Sequence, residues 1–144
     1  MAVQMLPGDA NPQGQVHGGT IMKLVDSAAA VAAHRHARSM VVTARMDEMS
    51  FLAPVEVGDL VTLRASVNAV WHTSMEVGVR VETENLLTGE VRHTASAYLV
   101  VVAIGDDRKP REVPPLDPQT AEARRREAEA QTRRAHRLAT RRPA

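Results

Sequence analysis

The sequence predicts an α+β fold: one long central helix wrapped by an antiparallel β-sheet, followed by a basic helical tail. Three observations carry that prediction. From Thr20 onward, Ile21, Leu24, Val25, Ala28 and Ala32 recur at helical spacing and fall on one stripe. After Ser39 the pattern changes to period-two alternation in β-branched runs joined by short turns, and such connections favour antiparallel neighbours. From Ala121 the chain is rich in Ala, Glu and Arg, a helix-prone composition.

The elements follow in order. Met1 to Leu6 reads as an edge strand that stops at Pro7-Gly8. Asn11-Pro12, Gly14 and Gly18-Gly19 punctuate a loop. The helix runs from Thr20 and stops between Ala37 and Ser39. Strands are expected at Met40 to Phe51, Leu60 to Trp71, Ser74 to Glu84 and Glu90 to Ile104. Pro54 with Val57-Gly58-Asp59 makes one turn, and Asn85 to Gly89 closes a hairpin with glycine at a left-handed position. The last strand ends in a continuous apolar run, which calls for cover on both faces. Lys109 to Pro118, with four prolines, is a stiff wrap and not a regular element.

With 144 residues the chain is a single domain, placed at residues 1–118, with residues 119–144 as the Arg-rich tail. Aromatic residues are 2% of the chain (Phe51, Trp71 and Tyr98), so the core must be aliphatic. Between Ala121 and Arg142 eight arginines face three glutamates, a local charge of 8 − 3 = +5 in a chain of net charge +1. The tail has no continuous apolar stripe, so its arginines read as a solvated face on an exposed or frayed helix. A near-neutral chain gives no reason to expect a nucleic-acid partner. With no cysteine, disulfides and thiolate metal sites are excluded. No apolar run reaches membrane-spanning length and no leader pattern opens the chain, so a cytoplasmic protein without a membrane partner is expected. His34 and His36 lie about 200° apart on the helix, which argues against a metal site.

Chemistry concentrates between Asn11 and Asp26. Gly18-Gly19 lets a ligand approach the backbone where unpaired helix N–H groups point outward. Asp26 lies beside Met22, Ala29 and Ala33, too far into the helix for capping. Burial there would make it a better base near neutral pH. It also reads as a boundary carboxylate bonded to a neighbouring strand. Donors for a negative oxygen and a carboxylate in one segment suggest acyl chemistry, with the Gly19 N–H as oxyanion donor. Asn11 before Pro12 is equally a turn residue. His17 has no cysteine and no elbow serine to activate, so it lines the site or fixes the loop. Thr73-Ser74 reads as a strand start.

These residues resemble the hotdog-fold acyl-CoA thioesterases of the cytosolic acyl-CoA hydrolase type. The matching pieces are Asp9-Ala10-Asn11, Gly14 to Gly19, Ile21 to Asp26, Arg35-His36, Val41-Val42-Thr43, Phe51 with Pro54-Val55, Val57-Gly58-Asp59, Thr73 to Val77, Lys109-Pro110 and Val113 to Leu116. Gln15 and Trp71-His72 depart from that pattern. The resemblance implies a long helix wrapped by an antiparallel sheet, domains that pair side by side, and active sites at the pair interface. It implies acyl-CoA as substrate, with CoA entering only as part of substrate and product and with no metal or other cofactor. It implies a homo-oligomer of hotdog dimers, up to a tetramer or hexamer. Asn11 and Asp26 match the family's functional positions. Gly18 belongs to the substrate-binding loop, Thr73 and Ser74 to contacts with pantetheine or phosphates, and Met22 with Ala29 and Ala33 to an acyl-chain wall. Two alternatives remain. A hotdog hydratase or dehydratase pairs its aspartate with a histidine a short step later, where this chain has Ala30 and Val31. A non-enzymatic acyl-CoA-binding protein is the other.

Overall fold

A computed structural model describes residues 1–140; Arg141 and Arg142 of the arginine tail lie outside the described residues. Helix α1 (Gly18–Ala37) begins two residues before the expected start at Thr20, because Gly18 and Gly19 both take ordinary helical backbone and form its first turn. It ends at Arg38, whose left-handed φ of 53° lets its N–H donate to the His34 carbonyl. His34, Arg35 and His36 in the last turn complement the negative end of the helix dipole.

The strands are β1 (Ala2–Gln4), β2 (Met40–Phe51), β3 (Leu60–Val70), β4 (Ser74–Glu84) and β5 (Val91–Ile104), in one antiparallel sheet ordered β1-β3-β4-β5-β2. The hairpin between β4 and β5 closes as expected, with Gly89 at φ 76° and Asn85 Oδ1 accepting from the N–H groups of Leu87 and Thr88. Strands β2 and β3 are adjacent in sequence but stand three places apart. The segment between them crosses to the other side of the sheet, and on the way Val55 accepts a hydrogen bond from Val16 N–H at 2.9 Å. That crossing lays the segment beside the loop that leads into α1, with Gln15 bridged to Glu56.

The core lies between α1 and the inner sheet face. Ile21, Val25, Ala29 and Ala33 of α1 meet Val61, Leu63, Met75, Val77, Val81, Leu99 and Val101, all nearly or wholly inaccessible. The apolar end of β5 is fully covered on one face and partly on the other: Leu99, Val101 and Ala103 are buried, while Val100, Val102 and Ile104 are half-buried. The proline-rich wrap seats Val113 in the core, with Val113 N–H donating to the His72 carbonyl.

The tail corrects the reading of its arginines as a solvated face. Helix α2 (Ala121–Thr140) lies across the outer sheet face and turns some of its arginines inward. Glu76 of β4, fully buried, accepts from Arg133 Nε at 2.8 Å, Arg133 Nη2 at 2.7 Å and Arg137 Nη1 at 3.2 Å. Arg137 also donates to Asp47 of β2 at 3.1 Å, and Asn68 donates to Glu76 at 3.1 Å. Arg133 stacks on Tyr98 at 3.7 Å and Arg134 on Trp71 at 4.4 Å. No apolar stripe was needed, because paired guanidinium groups over rings fasten the helix. Gly78 is required beneath this network: a Cβ there would stand 2.7 Å from Asn68 Nδ2.

Candidate active site

Asn11 builds the loop before α1. Its Oδ1 accepts from Gln13 N–H at 3.0 Å and Gln15 N–H at 3.1 Å, an Asx-type turn, and its own N–H donates to Gln15. The Nδ2 amide has no hydrogen-bond partner among the described residues. His17 caps the helix through its backbone only: its N–H donates to Asp9 and its carbonyl accepts from Thr20 N–H. The His17 side chain is exposed and makes no cap hydrogen bond.

The Gly18 and Gly19 N–H groups open the first helical turn and have no partner among the described residues. Neither glycine has positive φ, and a Cβ on Gly19 would meet nothing within 4 Å. The turn therefore does not need glycine at position 19 for backbone or packing reasons. What glycine does provide is unobstructed access to the N–H groups at the positive end of the dipole.

Met22 and Asp26 follow on the same side of α1, each four residues after the last. Met22 is 43% exposed, whereas Ala29 and Ala33 have no exposed surface. The acyl-chain wall expected along Met22, Ala29 and Ala33 is thus split, because the two alanines face the sheet and form core. Asp26 is exposed and not partly buried as expected, since it stands one residue past Val25 and the helix turns it out of the core toward the edge strand β2. What its chain supplies is Thr43 of β2, whose Oγ1 donates to Asp26 Oδ1 at 2.7 Å. Both readings of Asp26 are therefore compatible: the carboxylate is bonded to a neighbouring strand and open to solvent. The sequence reading gave Thr43 no role. Its one signal was its place in the matched Val41-Val42-Thr43 piece.

Gly19 and Asp26 are seven residues apart, which is about 10 Å along the axis. Asp26 therefore stands about two turns beyond the helix-start donors of its own chain. Thr73 and Ser74 are not brought to this stripe either. Ser74 pairs with Val102 next to the buried Met75, so alternation turns it to the outer sheet face. Among the described residues no group of three or more His, Asp and Glu is placed to hold a metal. No helix among them is long and apolar enough to cross a membrane.

Comparison with known proteins bears on this geometry directly. The thioesterase superfamily model matches residues 13–90. An uncharacterised acyl-CoA thioester hydrolase of Bacillus subtilis is 40% identical over 119 residues, 83% of this chain and 69% of the relative. A solved apo-hexameric acyl-CoA thioesterase has a TM-score of 0.92 at 40% identity, covering 96% of this chain and 88% of its own. The acyl-CoA hydrolase of Staphylococcus aureus, in complex with butyryl coenzyme A, coenzyme A and coenzyme A disulfide, has a TM-score of 0.89 at 33% identity, covering 96% and 85%. Mutants of that enzyme with an asparagine, an aspartate and a threonine each replaced by alanine are also solved, at positions 15 and then 17 residues apart. Asn11, Asp26 and Thr43 are separated by the same 15 and 17 residues. The hotdog architecture and the extent of the match settle the family: this chain belongs to the thioesterase superfamily and, within it, to the acyl-CoA thioester hydrolases.

Proposed function

We propose that this protein hydrolyses acyl-CoA thioesters to a free carboxylic acid and CoA, in sites shared between paired chains of a homo-oligomer. The observation that carries the shared site is the separation of about 10 Å between Gly19 and Asp26 on one helix. Donors and carboxylate meet at one carbonyl when Asn11 and Gly19 come from one chain and Asp26 with Thr43 from its partner. The hexameric relatives support assembly of this kind.

The thioester oxygen sits at the helix start, where the Gly19 N–H stabilises the developing oxyanion. Asn11 Nδ2 orients the attacking water or the carbonyl. Asp26 takes a proton from that water as its oxygen bonds to the carbonyl carbon. The tetrahedral intermediate collapses, the C–S bond breaks, and CoA leaves as thiolate and is protonated. Direct attack by Asp26, through an anhydride that water then opens, uses the same atoms. His17, Gly18 and Met22 border the bound thioester, and Thr73 and Ser74 serve the CoA end of the substrate, away from the reacting carbon. No metal or cofactor enters this reaction, CoA being part of substrate and product. Because acyl-CoA is an intracellular metabolite, the reading places the protein in the cytoplasm.

Release of free thiol from acyl-CoA, followed with a thiol reagent, tests the reading. Wild-type protein should release thiol, and Asp26→Asn should lower kcat by about 10²–10⁴ or more. Consumption of enoyl-CoA without thiol release would establish a hydratase instead. Binding without turnover would establish an acyl-CoA-binding protein.

A further inference from the structure

With Ala29 and Ala33 committed to the core, the acyl chain needs another home. The crossing segment after β2 provides one. Between it and the start of α1 lies an open groove of about 350 Å³, lined by Val16, Gly18, Ile21, Phe51, Leu52 and Pro54 among others. Every lining side chain is apolar, so the groove suits hydrocarbon, and its polar surface is backbone. Phe51 is 50% exposed and Leu52 59% exposed, apolar surface that the chain's own core leaves to solvent. The groove also begins at the reacting end of the substrate. Gly18 forms part of its lining, and a Cβ on Gly18 would stand 3.5 Å from Phe51 Cζ. A thioester oxygen at the neighbouring Gly19 N–H therefore puts the first acyl carbons beside the Phe51 ring.

We propose that this groove holds the acyl chain and that Phe51 is a specificity-determining residue, its ring limiting how much chain fits. The proposal rests on the acyl-CoA hydrolase reading. Each methylene buried there should raise kcat/KM roughly fourfold until the ring is reached.

The test measures kcat/KM by thiol release across acyl-CoA substrates of increasing chain length, for wild type, Phe51→Ala and Phe51→Trp. Phe51→Ala should move the optimum to longer chains and raise the long-to-short ratio about tenfold or more, two methylenes at about fourfold each. Phe51→Trp should move it the other way. Opposite shifts from one position are not what a merely structural role produces, and oligomer mass is checked for each variant. If both variants scale every chain length by the same factor, or change oligomer mass while the profile stays put, the groove holds a partner's side chain and the proposal falls. Failure of wild type to release thiol from any acyl-CoA overturns the hydrolase reading itself, an outcome distinguishable from an unshifted profile in active variants.

Discussion

Asp26 is an exposed carboxylate with a fixed neighbour, and that neighbour decides what the group can do. The Thr43 hydroxyl holds Oδ1 at 2.7 Å. Oδ2 has no partner among the described residues, so the carboxylate is held at one oxygen and open at the other. A carboxylate has about four acceptor sites, so one bond orients it without exhausting it as a base. Thr43 is thus a positioning residue in this reading, acting through Asp26. Hydrogen bonds to charged groups are worth about 1.5–3 kcal/mol. Thr43→Val, which keeps the β-branched shape, should therefore lower kcat by about 10- to 100-fold with KM little changed. Thr43→Ser should restore most of the loss, because it returns the donor. Steady-state kinetics on the purified variants checks this, and equal loss in both would remove the hydroxyl from the argument.

At the scale of elements, α2 is held by a buried charge cluster and not by an apolar stripe. Burial pushes the Glu76 carboxyl up, but hydrogen bonds from Arg133 and Asn68, the Arg133 charge and the Arg137 bond outweigh it. The net effect holds Glu76 below the ordinary carboxylate range. A depressed folded value means the unfolded chain binds the proton more readily. The stabilisation is therefore complete above the unfolded value of about 4.3 and is lost as pH falls through the lower folded value. Melting curves followed by circular dichroism should show a midpoint that drops on acidification in this window. Glu76→Gln should start from a lower midpoint at neutral pH and lack that part of the acid slope. Removing the carboxylate with Glu76→Ala takes both bonds from Arg133 and leaves Arg137 with Asp47 alone, and should cost about 3 kcal/mol. The cluster lies on the sheet face opposite α1, away from Asp26, so the folded fraction of these variants should keep kcat, with any effect at the neighbouring Ser74 falling on KM.

The whole molecule is where the reaction is assembled. If Asn11 and Gly19 of one chain meet Asp26 of the next, Asn11→Ala and Asp26→Asn oligomers should each be nearly inactive. Co-refolding the two variants makes mixed pairs in which one site carries both defects and the other carries neither. Activity should return to as much as half the wild-type level per mixed pair. If mass spectrometry confirms subunit exchange and no activity returns, both residues act within one chain.

Element order, the hairpin at Asn85–Gly89 and the loop-helix segment from Asn11 to Asp26 are all legible in the sequence. Those features are written in local periodicity, turn chemistry and backbone sterics, each legible within a few residues. Most strand limits agree with the structure to within a residue for the same reason. Which residues become neighbours across long separations emerges in the folded structure alone. It brought the β2–β3 connection beside the start of α1 and so created the groove at Phe51, a consequence of strand order that no local pattern encodes. It gave Asp26 its partner 17 residues away, and it exposed that carboxylate while burying Ala29 and Ala33. It also turned arginines of the tail onto Glu76, 57 and 61 residues distant. Helical phase alone cannot foresee that burial, because a buried guanidinium is stable only where a carboxylate from another strand is waiting for it.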